Sequence, residues 1–203
     1  MSQAMNCCNG THPWDSYQVS TNWFPPKLYC FVIGESPGYN VKSAYFYGQP
    51  PSIGKDPVTV RRNLLFGLHE VGIIKAPTLQ AFQQGGFLFD HAIRCHLPKA
   101  TIEEERQLAS RYESRRAATA THLEPTLKVA PAVWVMGYIA RNAVASICST
   151  FPKDRTPITK PPYPSQVPGA PKFFVSRYLS HLSDDEVLDI CKRFKAFFNS
   201  RTP

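Results

Sequence analysis

The chain has 203 residues, of which 43% are hydrophobic and 19% charged; this size and composition are typical of one folded α/β domain and exclude an intrinsically disordered chain. No apolar stretch reaches the ~20 residues that a membrane span requires, and the N-terminus lacks the basic and apolar regions of a secretion signal. Lys and Arg outnumber Asp and Glu by 23 to 15, for a formal net charge of +8. We therefore expect a cytoplasmic monomer that binds a polyanion, such as nucleic acid, and no membrane.

The first predicted element is a strand over residues 27–34 (KLYCFVIG), a continuous apolar run that ends in glycine. A helix is expected over residues 56–72, because an Asp-Pro pair suited to a helix start precedes apolar residues at helical spacing. A second strand follows over residues 87–95 (FLFDHAIRC). The first half of the chain thus predicts a strand, a helix and a strand.

The second half continues this alternation. A capping box at Thr101 predicts a long helix that runs toward His122, and Pro125 should kink or end it. A third strand over residues 132–136 (AVWVM) precedes a short helix over residues 138–147, and seven prolines between 152 and 171 predict a semi-rigid loop. A fourth strand (172–176, KFFVS) and a final helix that begins with the Ser183 capping box complete the pattern.

Strands that alternate with helices predict an α/β fold of three layers, α/β/α, around a roughly four-stranded parallel sheet. Residues 1–26 are interpreted as an N-terminal arm and residues 27–203 as a single domain. In such sheets ligands bind beyond the carboxyl ends of the strands. The candidate site residues therefore follow the predicted strands, at 35–40, 90–98, 137 and 177–183.

The segment after the first strand, residues 34–38 (GESPG), supports two chemistries. Its letters satisfy the G-x-S-x-G pattern of a serine hydrolase, with Ser36 as nucleophile. That pattern requires a helix directly after the serine, and Pro37 disfavours helical geometry at Ser36. Alternatively, Glu35 is the reactive group, set in a glycine-proline loop whose backbone approaches a ligand closely.

The same segment resembles the first motif of the uracil-DNA glycosylase superfamily, which in its iron-sulfur type reads Gly-Glu-Ala-Pro-Gly. Residues 46–48 (FYG) are similar to the family's Phe-Val-Gly, and residues 92–98 (AIRCHLP) to its motif Val-Val-Lys-Cys-Arg-Pro-Pro. Residues 122–127 and 135–140 also fall in register. The resemblance implies a uracil-DNA glycosylase-like fold and a monofunctional DNA glycosylase, which flips a deaminated base (uracil or hypoxanthine) out of the duplex and hydrolyses its N-glycosidic bond.

The resemblance also implies roles for individual residues. Glu35 would stabilise the sugar cation or orient water, and His181 or Arg177 would stabilise the departing base; which of these two does so is left open. Phe46 would stack on the flipped base, while Asp90 and His91 would bind its edge. The loop around the substrate would comprise Gly34, Ser36, Pro37 and Gly38. Phe46 could instead be an ordinary core residue, and His91 an ordinary strand histidine.

Contacts with DNA are expected from basic side chains that bind phosphates and from a leucine that enters the gap left by the flipped base. The basic candidates are Lys42, Arg61, Arg62 and Lys153, and the leucine candidates are Leu179 and Leu182. A protein with these contacts would be associated with the nucleoid. Each basic residue, taken singly, could equally be a solvated surface charge.

The cysteines do not match the ligand set of the iron-sulfur type. Cys95 is present, but Cys7 and Cys8 are adjacent, and no cysteine lies near Arg111. Asp90, His91, Cys95 and His96 also lack the spacing of a zinc site. We therefore predict no metal and no cofactor. Two alternative functions stay open: a catalytically inactive nucleic-acid-binding protein with the same fold, and a serine hydrolase that uses Ser36.

Overall fold

The computed structural model describes residues 22–35, 46–47, 59–92, 120–151, 171–180 and 182–199. Most of the predicted N-terminal arm, the helix after Thr101 and the proline-rich segment lie outside the described residues. The same is true of several sequence-predicted site or ligand candidates: Ser36, Pro37, Gly38, Lys42, Lys153, His181, Cys7, Cys8, Cys95 and His96.

The four predicted apolar segments form one sheet. Its strands are β1 (Cys30–Gly34), β2 (Phe87–His91), β3 (Ala132–Met136) and β4 (Lys172–Ser176). They lie in the order β2-β1-β3-β4, and every neighbouring pair is parallel. β1 and β2 are buried along their whole length, which explains why their sequences are continuous apolar runs and do not alternate.

Helices flank this sheet. Those in the described residues are α1 (Thr59–Glu70), α2 (Leu79–Gln84), α3 (Glu124–Val129, after a 3-10 turn at Ala120–Leu123), α4 (Tyr138–Ile147) and α5 (Asp184–Asn199). The connection from β1 to β2 and that from β3 to β4 run in opposite directions along the sheet. Right-handed crossovers therefore put α1 and α4 on opposite faces, which gives the predicted three-layer α/β/α arrangement.

The core between α1, α5 and the sheet is rich in aromatic side chains. Trp134 of β3 stacks on Phe194 of α5, with ring centroids 4.3 Å apart. Its indole Nε1 donates to Ser176 Oγ at 2.9 Å, so the buried polar atom is paired. α5 also packs closely against α1. At Gly67 of α1, an added Cβ would lie only 2.5 Å from Cys191 Sγ of α5. Burial raises the pKa of that Cys191 thiol to about 12, as fits a core cysteine.

Three sequence predictions need correction. β1 begins at Cys30 and not at Lys27, because Lys27 and Tyr29 are exposed where the chain enters the sheet. Pro125 does not end a helix but lies in the first turn of α3, where its missing N–H leaves no hydrogen bond unmade. α2 was not predicted, although Thr78 Oγ1 accepts from the Ala81 N–H at 3.2 Å as a regular N-cap.

Within the part of the chain that the structure describes, no helix combines the length and apolar character needed to cross a membrane.

Candidate functional site

The strand order has its switch point between β1 and β3. From β1 the chain moves to β2 on one side, and later returns to β3 on the other side of β1. The point where the strand order reverses is the usual ligand site of an open parallel sheet, because the flanking connections diverge there. Glu35 directly follows β1, and Gly137 directly follows β3. The structure therefore brings these two residues together at the switch point.

The carboxylate of Glu35 is held by the N-terminus of α4. Its Oε1 accepts a hydrogen bond from the backbone N–H of Ile139 at 3.1 Å. Backbone N–H groups in the first turn of a helix have no partner within the helix, and the helix dipole is positive there. Both effects stabilise a negatively charged carboxylate. Glu35 is thus held at the switch point by the N-terminus of a helix.

Gly137 makes room for this contact. It is the N-cap of α4, with φ 88° and ψ 173°, a conformation that is nearly restricted to glycine. A Cβ at this position would overlap Glu35 Oε1. A serine or aspartate N-cap would normally satisfy the amides of the first turn with its own side chain. Here the glycine leaves that place to a carboxylate from another strand.

Tyr178, just after β4, lies beside the same carboxylate. A Cβ on Gly34 would lie 3.3 Å from Tyr178 Cε2, so the ring reaches the end of β1. Burial raises the pKa of Tyr178 well above its ordinary value, and the charge of Glu35 raises it further. The phenol consequently stays neutral at physiological pH and adds no second negative charge beside Glu35.

A second polar cluster lies at the end of β2. Asp90 and His91 are both buried, and Asp90 Oδ1 accepts from the His91 N–H at 2.7 Å. His122 Nε2 lies 2.9 Å from the carbonyl oxygen of His91 and 3.9 Å from Asp90 Oδ2. Because a carbonyl oxygen only accepts, Nε2 of His122 carries the hydrogen. Asp90 and His91 are near Glu35 in the sheet, since His91 pairs with Gly34, but their contact with a base edge stays a prediction.

Arg177 stands at the solvent-exposed rim of the site. Its Nη2 forms an ion pair with Glu186 Oε1 at 2.7 Å. Glu186 also accepts from the Ser183 N–H at 3.0 Å, while Ser183 Oγ accepts from the Glu186 N–H at 3.3 Å. The predicted capping box of the last helix is therefore confirmed. Backbone and side-chain hydrogen bonds from Ser183 and Arg177 lower the pKa of Glu186.

Phe46 and Leu179, two residues predicted to contact the flipped base and the DNA, are core residues in the structure. Phe46 is 1% exposed, and its ring stacks on Phe89 with centroids 4.0 Å apart. Phe46 could stack on a base only if the residues that bury its ring moved away. Leu179 is fully buried, and its carbonyl oxygen accepts from Asn63 Nδ2 at 2.7 Å. A buried leucine cannot enter a base stack, so Leu182, which is partly exposed, is the better candidate.

The predicted phosphate contact of Arg61 also needs correction. Arg61 is 1% exposed, and its Nη1 donates to the carbonyl oxygen of Phe46 at 2.9 Å. This guanidinium ties the Phe46 backbone to α1 and does not reach the surface. Its neighbour Arg62 is partly exposed and donates from Nε to Asn63 Oδ1 at 3.1 Å. A phosphate contact of Arg62 stays a prediction.

Residues that could hold a metal do not cluster in the described segments, where no group of three or more His, Cys, Asp or Glu side chains has a suitable arrangement. Tyr178 lies in the range 177–183, which was expected to hold site residues, although no role was assigned to it. Two contributors to the site were not predicted: the Ile139 amide and His122. Ile139 lies close to the end of a predicted strand, and that position was the available signal. The sequence gives no sign that His122 would return to the end of β2.

Comparison with known proteins assigns no family to the chain. No protein-family model matches it, and no curated protein matches it. The resemblance to the uracil-DNA glycosylase superfamily therefore rests on the sequence motifs alone.

Proposed function

We propose that this protein is a DNA glycosylase that hydrolyses the N-glycosidic bond of a deaminated base, uracil or hypoxanthine, after the base has left the duplex. One observation carries the proposal: Glu35 lies at the switch point of a parallel sheet with one oxygen tied to the Ile139 amide. A carboxylate in this position is oriented and charged before any substrate arrives.

Such a carboxylate suits the reaction. As the glycosidic bond breaks, its electron pair leaves with the base and the sugar gains positive charge. The anchored Glu35 carboxylate stabilises that charge and accepts a proton from the water whose oxygen bonds to the anomeric carbon. Because Tyr178 is neutral, it adds no second negative charge that would repel the Glu35 carboxylate.

The departing base needs a positive or hydrogen-bonding group. Arg177 is close enough in the fold to be considered, because it directly follows β4, the neighbour of β3. To act on the base, Arg177 must break its ion pair with Glu186. This ion pair is exposed, and exposed ion pairs contribute little stability. His181 is the other candidate and lies outside the described residues.

The net charge of +8 supports DNA as the partner, and with it association with the nucleoid. A second candidate function is a nucleic-acid-binding protein of the same fold without catalysis. The burial of Phe46 and Leu179 and the pairing of Arg177 favour it, since all three residues serve the fold itself. Glu35 would then serve only as a helix cap.

The experiment is a panel of oligonucleotides with single uracil or hypoxanthine lesions, incubated with the protein and treated with alkali to cleave abasic sites. Glu35→Gln should reduce the rate of base release at least about tenfold, because a neutral amide neither stabilises the sugar cation nor accepts a proton. The matched control is Asp189→Asn, which removes the same charge from an exposed ion pair with Arg193 on α5.

Each outcome separates the candidates. No base release by the unmodified protein, together with salt-sensitive DNA binding, would establish the binding protein instead. Equal base release by Glu35→Gln and Asp189→Asn would remove Glu35 from the mechanism. Ser36→Ala should have little effect on base release, whereas loss of an esterase activity in that variant would favour the serine hydrolase.

A further inference from the structure

A large aromatic side chain is exposed beside Glu35. Tyr138 is 58% exposed, although it stands between Gly137, the N-cap of α4, and Ile139, whose amide binds Glu35. The other large hydrophobic side chains that are exposed in the described segments are Phe24, Tyr29 and Val129. Tyr138 is the one of these that lies at the carboxyl edge of the sheet and next to the candidate site.

Two arginines, Arg177 and Arg141, lie near Tyr138 in the fold. The Gly137 N–H donates to the Ser176 carbonyl oxygen at 2.9 Å, so the chain after β3 runs alongside the chain after β4 and brings exposed Arg177 to the same rim. Arg141 follows Tyr138 by three residues on α4 and therefore shares its side of the helix. An exposed aromatic ring with guanidinium groups nearby is typical of surfaces that bind single-stranded nucleic acid.

The aromatic residue that the sequence motifs offered for base stacking is not accessible. Phe46 is buried against Phe89, whereas Tyr138 is exposed to solvent at the start of α4, next to the amide that binds Glu35. A base has two apolar faces, and stacking on a ring requires only one open ring face. We infer that Tyr138 is a stacking platform for an unpaired base of single-stranded DNA, placed beside the Glu35 carboxylate.

This inference rests on the proposed function insofar as DNA is the ligand, but it does not require catalysis. Its test is therefore a binding measurement: fluorescence anisotropy of a labelled oligo-dT strand and of a labelled duplex of equal length. Tyr138→Leu should weaken binding of the single strand roughly tenfold, because one base loses its stacking partner. The affinity for the duplex, whose bases are already stacked, should change less than about twofold.

Tyr29→Leu is the matched control. Tyr29 is also an exposed tyrosine with a nearby cation, Lys27 Nζ at 4.9 Å from its ring centroid, but it precedes β1 at the opposite edge of the sheet. It should bind both DNA forms like the unmodified protein. Tyr138→Phe, which keeps the ring and changes only the hydroxyl, should also bind the single strand normally. Thermal unfolding of each variant checks that it is folded.

The inference is overturned if Tyr138→Leu binds the single strand normally, if it loses affinity equally for both DNA forms, or if Tyr29→Leu loses as much. Failure here differs from failure of the proposed function. A Tyr138→Leu protein with normal DNA affinity and Glu35-dependent base release refutes the platform alone. Loss of single-strand affinity in Tyr138→Leu, with no base release from any lesion, supports the platform and refutes the glycosylase.

Discussion

The N-termini of α4 and α5 are both capped by a glutamate carboxylate, but the two glutamates come from very different distances along the chain. In α5, Glu186 belongs to the first turn and bonds Ser183, three residues before it. In α4, the carboxylate belongs to Glu35, 104 residues away in sequence. The local cap can form as soon as the helix forms. The distant cap requires β1 and β3 to be paired first.

This difference separates a stabilising feature from a candidate site. A local capping box pairs the amides at the start of its own helix and requires no contact with the rest of the fold. The distant cap instead leaves a charged group at the switch point, next to the neutral phenol of Tyr178 and the exposed ring of Tyr138. The chain also keeps a glycine at the N-cap of α4, where a side chain of its own would have sufficed for capping alone.

The most severe test of the comparison is Gly137→Ala. The methyl group would overlap Glu35 Oε1, and the backbone conformation at φ 88° is strained for any side chain. We expect the free energy of unfolding to fall by more than about 2 kcal/mol, measured by urea denaturation, and base release to fall with it.

Gly72→Ala is the control for backbone strain alone. Gly72 also has a positive φ, of 72°, but the nearest atom to an added Cβ is Lys195 Nζ at 3.8 Å. This variant should lose only about 1 kcal/mol. If the two substitutions were equally destabilising, Gly137 would not be making room for Glu35, and the distant cap would have no special role.

The second test removes each cap in turn. Glu35→Ala and Ser183→Ala should each lower the free energy of unfolding by about 1 kcal/mol, because each leaves an amide in the first turn of a helix without its partner. Base release should fall only in Glu35→Ala. Urea denaturation and the alkali cleavage assay measure the two effects. A loss of base release in Ser183→Ala as large as in Glu35→Ala would mean that both caps act through stability alone.

The same contrast explains what could be predicted from the sequence. β3, β4 and α4 match their predicted bounds, since a continuous apolar run or an apolar stripe at helical spacing reports burial directly. The capping box of α5 could be predicted equally well, because both of its partners lie within four residues of the sequence. The position of Glu35 after a buried strand was predictable for the same reason, whereas its partner at Ile139 depends on how β1 and β3 pair.

Three of the candidate site residues, Arg61, Phe46 and Leu179, are buried in the structure, and their burial has one physical cause. The basic character of Arg61 suggested that it was at the surface, and the family resemblance implied that Phe46 and Leu179 contact DNA, but burial is decided by tertiary packing. Arg61 is buried because its guanidinium satisfies the carbonyl oxygen of Phe46, a pairing across 15 residues. Tyr138 shows the converse, an aromatic residue that packing leaves exposed. Neither outcome follows from composition or periodicity.

The smallest expected effect concerns pH and the local cap. Hydrogen bonds from the Ser183 backbone and from Arg177 lower the pKa of Glu186 below its ordinary value of 4.5. The ionised form is thus favoured by folding, so its contribution to stability is present above the pKa of the unfolded chain and is lost as the pH falls through the lower folded pKa. Glu186→Gln should therefore be less stable than the unmodified protein at neutral pH, and the gap should close as the pH falls below 4.5.

Urea denaturation at a series of pH values measures this gap. It should be small and sensitive to salt, because Glu186 is exposed and its ion pair with Arg177 is screened by solvent. A gap that widens with acid would show that Glu186 is not ionised in the cap. A gap at neutral pH that added salt leaves unchanged would contradict this account, since the contribution of an ion pair exposed to solvent is screened by salt.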